Sequence, residues 1–229
     1  MFTTFAVVSC RSRGKMKFLH RAIICAFAWM AFSAMGADIY WDTDTAAPLV
    51  GSTSTLNLSG TYFSTSPSGN TALTTSSAGD RWFFQTDNVP AYTTRVDSAQ
   101  TIDSITVSNG NHVTMTTASP SLTCTNMISV QGGSSLTLHH SANNQRVLAD
   151  SRNTGGKPSV VLGAGANTLT ISGSYCNAYW LKSLTGEADD RFGATDDSMW
   201  VLIEGPSTFP GQLFGTLRLN ANYTDSRQR

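Results

Sequence analysis

Residues 105–115, Ile-Thr-Val-Ser-Asn-Gly-Asn-His-Val-Thr-Met, return 23 residues later as residues 128–138, Ile-Ser-Val-Gln-Gly-Gly-Ser-Ser-Leu-Thr-Leu. Ile105, Val107, Gly110, Val113 and Met115 align with Ile128, Val130, Gly133, Leu136 and Leu138. Each copy reads as an alternating strand, a polar turn holding a glycine, and a second alternating strand. Alternation at period two marks a strand, and self-similarity at a period of about 20 to 50 residues marks a solenoid.

A unit this short cannot bury its own apolar side. Stacking one copy on the next at roughly 4.8 Å pairs the backbone groups and lines up the aliphatic side chains inside. The expected fold class is therefore all-β: a right-handed parallel β-helix, or solenoid, with an irregular N-terminal cap. A third copy follows Pro158, where Val160 and Leu162 take the first two apolar places, Gly165 the glycine, and Leu169 and Ile171 come one residue late. Ile105 should then stack on Ile128 and Val160, Val107 on Val130 and Leu162, and Val113 on Leu136 and Leu169. Gly110, Gly133 and Gly165 should mark a turn with positive φ. The alternative, an antiparallel sandwich, has no reason to hold one register at several positions. The longer polar stretch 140–157 can leave the stack only as a surface loop, and Asp150 and Arg152 are its candidate binding residues.

Toward the N-terminus, Met16-Lys-Phe-Leu-His-Arg21 precedes an apolar run, Ala22 to Phe32, and then small residues at Ala34 and Gly36. This is the pattern of a secretory signal, with cleavage expected between Gly36 and Ala37. Met16 opens a better-formed signal than Met1 does. The apolar run falls short of the roughly 20 residues that a spanning helix needs. Five of the fifteen Lys and Arg lie in this leader and none of the acids do, so the remaining chain carries ten bases against fifteen acids. That balance argues against a nucleic-acid partner and against attraction to an anionic membrane surface. Cys124 and Cys176 remain after the leader; they either pair in an oxidising compartment or serve as small buried hydrophobes. From Ala37 onward 53 of 193 residues are Ser or Thr, which gives alternating strands one wet face.

Four segments follow: residues 1–36 as leader, 37–98 as cap and first strands, 99–174 as β-helix coils, and 175–229 as a C-terminal coil or open end. A solenoid's first coil must be covered, and Trp41, Trp82, Phe83 and Phe84 are the residues expected to cover it. An aromatic sugar platform at Trp41, Trp82 or Trp180 is the functional alternative for such rings.

The runs Gly79-Asp-Arg-Trp-Phe-Phe84, Ala99-Gln-Thr-Ile-Asp-Ser-Ile-Thr-Val-Ser-Asn-Gly110, Ile128 to Leu138 and Gly163-Ala-Gly-Ala-Asn-Thr-Leu-Thr-Ile-Ser-Gly173 together resemble the autotransporter-associated β-strand repeat proteins. The resemblance covers roughly residues 37–174. It implies an exported bacterial β-helix protein of the cell surface.

Side chains with other chemistry are scattered. Glu187, Asp189, Asp190, Asp196 and Asp197 carry the oxygen ligands that calcium takes, without the spacing of a known calcium loop. His112, His139 and His140 are expected at different corners of the coil and do not make a metal site. No serine has a nucleophile-elbow context, no glycine-rich turn has the lysine and helix of a phosphate loop, and no cofactor is indicated. The expected function is an exported, non-catalytic β-helix with a structural, adhesive or cell-surface role. The alternatives are an extracellular polysaccharide lyase or hydrolase, or a glycan-binding module. Expected partners are an extracellular polysaccharide, a cell-surface protein or another solenoid stacked on an open end.

Overall fold

The computed structural model of the chain describes residues 36–88, 91–117, 122–140, 147–148, 156–173, 179–195, 199–215 and 217–221. They belong to one compact unit that starts at Gly36. In chain order the strands are β1 (Asp38–Trp41), β2 (Leu56–Asn57), β3 (Phe63–Ser64), β4 (Arg81–Phe84), β5 (Ala91–Val96), β6 (Gln100–Val107), β7 (His112–Thr117), β8 (Leu122–Val130) and β9 (Ser135–His140). They continue as β10 (Ser159–Leu162), β11 (Thr168–Gly173), β12 (Tyr179–Leu181), β13 (Ser183–Thr185), β14 (Arg191–Ala194), β15 (Met199–Ile203), β16 (Gln212–Phe214) and β17 (Leu217–Ala221).

These strands form a parallel β-solenoid. The first sheet has the order β13-β10-β8-β6-β4-β1-β3, the second β16-β14-β11-β9-β7-β5-β2, and a short third sheet β12-β15-β17. Five successive coils each give one strand to both large sheets: β4 with β5, β6 with β7, β8 with β9, β10 with β11, and β13 with β14.

The register is the one that the repeat demands. Ile105 lies beside Ile128 and Ile128 beside Val160, while Val107, Val130 and Leu162 form the neighbouring column. Across the core, Val113, Leu136 and Leu169 are in line, as are Met115, Leu138 and Ile171. Every one of these side chains is at most 2% exposed. Fully burying such a side chain contributes roughly 1.5–3 kcal/mol, so the columns supply most of the cohesion between coils. The columns run on beyond the three copies: Trp82 and Phe84 continue the first pair at the N-terminal side, and Phe192 and Leu213 continue the Val113 column at the other.

The turn between the large sheets explains the repeated glycine. Gly110, Gly133 and Gly165 have φ of 69°, 72° and 100°. A Cβ on Gly110 or Gly133 would meet nothing within 4 Å, so the backbone conformation and not space selects glycine there. At Gly165 both reasons apply, because a Cβ would lie 2.7 Å from the Gly133 nitrogen.

The N-terminal end is closed differently. β3 runs antiparallel to β1, setting Phe63 opposite Trp41, and Trp41 also packs against Phe84 and Tyr92 at ring separations of 5.8 and 6.2 Å. The expected cover is therefore corrected at one residue. Trp41, Trp82 and Phe84 are buried, but Phe83 turns outward, because alternation along β4 sends it to the opposite face. There it stacks on Tyr40 of the neighbouring strand at 5.0 Å.

Candidate binding face

Alternation gives the second sheet an outer face made of the odd positions of its strands. Its central column is Thr93, Thr114, Thr137 and Thr170, one threonine on each of four adjacent parallel strands. The spacing is that of a parallel sheet, roughly 4.8 Å per step. All four are half-buried, and their hydroxyls have no hydrogen-bond partner among the described residues. Several residues of the flanking columns bond within the protein, while Arg95 stands exposed in the Thr116–His139 column. His112 Nδ1 pairs with Ser135 Oγ at 2.8 Å, His139 Nδ1 with Ser172 Oγ at 2.8 Å, and Thr116 Oγ1 donates to the Thr94 carbonyl at 3.3 Å. The face thus presents an uncharged line of hydroxyl and methyl groups at fixed repeat, held by the backbone ladder beneath it.

The first sheet presents a different outer face. Beside the Tyr40–Phe83 stack, on the same two strands, Arg81 Nε pairs with Asp38 Oδ1 at 2.5 Å. Farther along, Ser104, Thr106 and Ser129 follow as small, nearly buried residues. Burial raises the pKa of the Tyr40 phenol, and Asp38 adds to the effect.

The corner between the large sheets holds a buried polar column. Asn111, Ser134, Asn167 and Asp190 occupy equivalent places two residues before the apolar column and are at most 1% exposed. Asn167 Oδ1 accepts from the Gly133 and Ser134 amides at 3.0 and 3.1 Å, and its Nδ2 donates to the Gly163 carbonyl at 2.7 Å. Asp190 Oδ1 accepts from the Asn167 amide at 2.9 Å and Oδ2 from the Glu187 amide at 2.7 Å. Asn111 binds Thr86 in the same way one coil earlier. The column satisfies turn amides that the departing strands leave without a ladder partner.

The residues singled out in the sequence fall in different places. Trp41 and Trp82 are core residues with no ring face turned to solvent. Trp180 lies on the outer side of the third sheet and packs with Leu202; Lys157 sits 5.3 Å from its ring centre and pairs with Glu204. Asp189 is exposed while Asp190, its neighbour, is inside. The carboxylate of Asp190 is engaged by the corner, not offered to a cation. Asp150, Arg152, Asp196 and Asp197 lie outside the described residues, as does Cys176. Cys124 is free and buried, and burial pushes its thiol pKa up to about 12. His112 and His139 are on the outer face of the second sheet two columns apart, and His140 points inward to the Tyr179 hydroxyl at 2.6 Å. Among the described residues no three His, Cys, Asp or Glu side chains are grouped to hold a metal ion, and no helix is long and apolar enough to cross a membrane.

Sequence reasoning missed the threonine column and the polar corner. Both had a signal in the repeat itself: Thr114 and Thr137 are 23 residues apart, and so are Asn167 and Asp190. In comparisons with known proteins, no family model, no curated protein and no solved structure matches this chain.

Proposed function

We propose that this chain is an exported, non-catalytic β-solenoid with a structural, adhesive or cell-surface role, in keeping with its resemblance to the autotransporter-associated β-strand repeat proteins. The observation that carries the reading is the line of free hydroxyls at Thr93, Thr114, Thr137 and Thr170. An uncharged, repeating line of hydroxyls makes many individually modest hydrogen bonds, each worth about 0.5–1.5 kcal/mol net, and so suits attachment to an extended partner. The leader-like stretch from Met16 to Gly36 supplies the route out of the cell.

Cell fractionation with an antibody against residues 140–157, together with the intact mass of the native protein, tests the location. Recovery from the envelope, surface or medium is expected; retention in the cytoplasm overturns the reading. The role is tested by changing all four threonines to valine, which keeps shape and β propensity but deletes the hydroxyls. Cells or beads displaying the variant should lose attachment to extracellular matrix preparations while the melting temperature is retained. Undiminished attachment removes this face from the reading.

A further inference from the structure

The first strand begins one residue after the Gly36–Ala37 bond, the expected cleavage point of the leader, and Ala37 is held there on both sides. Its carbonyl accepts from the Arg81 amide at 2.8 Å, and its amide donates to Asp80 Oδ1 at 2.9 Å. Asp80 is 4% exposed. Its Oδ2 accepts from the Ser77 amide at 2.7 Å and its carbonyl from the Asp103 amide at 2.9 Å, so the carboxylate is fixed in direction.

A buried carboxylate is normally matched by a cation. Among the described residues no lysine or arginine pairs with Asp80, and its neighbour Arg81 is taken by Asp38. Asp190 makes the same two kinds of bond, to the Asn167 and Glu187 amides, at the corner of a later coil. The difference is the donor. Asn167 and Glu187 stay inside the chain, whereas Ala37 is the residue that a cut after Gly36 turns into a chain end. Gly36 itself is pressed against Gly79, where a Cβ would overlap the Gly79 carbonyl, so the uncut chain passes this point only as glycine.

We propose that Asp80 is the built-in acceptor for the processed N-terminus: after cleavage the Ala37 α-ammonium forms an ion pair with its carboxylate and locks the first strand onto the solenoid. The cut is a hydrolysis by a signal peptidase. Water adds across the Gly36–Ala37 bond, its hydroxyl going to the Gly36 carbonyl carbon and its hydrogen to the Ala37 nitrogen. The freed amine, with an ordinary pKa of about 7.7–8.0, takes up the proton that the new Gly36 carboxylic acid gives off. A neutral donor is thereby exchanged for a charged one at the same place, and charge-assisted hydrogen bonds are roughly twice as strong as neutral ones. The strand so fixed is the one on which the cap is built, since β1 carries Ile39 and Trp41 inward and pairs with both β3 and β4. Processing thus tightens the closed end of the fold. The assignment deepens the exported reading, on which it rests for the cut.

Two measurements test it. In the first, the full chain is expressed in a bacterium with its own leader, and the exported protein is sequenced from its N-terminus. Ala37 is the expected first residue, and a different one overturns the proposal. In the second, the chain from Ala37, which keeps all but the first residue of the compact unit, is released from a fusion partner that leaves nothing behind. It is then melted with and without enzymatic acetylation of its α-amine. Acetylation removes the charge and should lower the melting temperature by about 2–4 °C. The loss should vanish in Asp80→Asn, which keeps an acceptor for the Ser77 amide, and persist in Asp190→Asn. No loss on acetylation, or an equal loss in Asp80→Asn, overturns the proposal, and acetylation of the unsubstituted chain gives that answer even where a variant does not fold. Retention of the full chain in the cytoplasm would sink the exported reading, and acetylation of the released chain still decides the pairing. Export with another first residue, or without an acetylation effect, would sink the pairing alone.

Discussion

The first and last described coils of the solenoid differ in how their apolar columns are covered. At the N-terminal end, Trp41, Phe63, Trp82 and Phe84 are at most 1% exposed and pack ring against ring, with β3 laid antiparallel across the edge. In the last described coils the apolar column runs through Phe192, fully buried, to Leu213, which is 48% exposed on the last described strand of the second sheet. A ladder of identical rungs has no intrinsic stop, because each rung buries its neighbour and is buried by the next. An end is closed only when residues depart from the repeat, and large rings do this well because each covers 150–250 Å² or so.

The comparison can be broken most sharply at Trp82. Trp82→Ala removes a ring at the centre of the cap and the donor that fixes Ser76, and should cost about 3–5 kcal/mol in urea unfolding. A cost below about 1 kcal/mol would mean that the cap is dispensable and the two ends are energetically alike. A middle-sized effect is expected between the ends. Asn167→Ala leaves the Gly133 and Ser134 amides without their acceptor in a buried corner and removes one of the donors to Asp190, and should cost about 1–3 kcal/mol. Unchanged stability would show that water replaces the side chain.

Cys124 in β8 reports from the middle of the stack. Its pKa is raised in the folded chain, so the neutral thiol is the form that burial favours. The unfolded thiol ionises above its ordinary value of 9.0 while the folded one resists until about 12. The contribution is therefore fully present below about pH 9 and lost as pH rises from there toward 12. The stability difference between the native chain and Cys124→Ala should narrow across that window, and a pH-independent difference would contradict the buried neutral thiol. At pH 8, alkylation of Cys124 should be slow, and Trp82→Ala should speed it by promoting opening. The smallest effect belongs to the other end. Leu213→Ser should change stability by about 0.5 kcal/mol or less and leave the alkylation rate unaltered, because the side chain is already half in water. A larger loss would show that the last rung is covered in solution.

How much of this was legible beforehand varies along the chain. The columns Ile105–Ile128–Val160 and Val113–Leu136–Leu169 could be written down from the sequence, since the motif recurs after 23 residues and again after Pro158, with one extra residue in the third turn. Trp82-Phe83-Phe84 could not be divided in the same way. Three apolar residues in succession carry no alternation, so only the pairing of Trp82 with Ile105 and Phe84 with Val107 shows which ring points out. Asp190 stands among exposed acids in a polar loop, and its inward direction follows from its place beside Asn167 in the corner. The bond between Ala37 and Asp80 joins residues 43 positions apart, through a stretch outside the 23-residue repeat.

By itself, the sequence determined the period, the parallel stacking and the identity of the inner columns, because these depend on local alternation and on a repeat that any stacked copy must share. Only the tertiary structure decided which rings seal the N-terminal end, which carboxylates are buried, and where separated segments meet, as Ala37 and Asp80 do. Those outcomes depend on contacts between residues that no local pattern relates, and their energies exist only once the coils are in place.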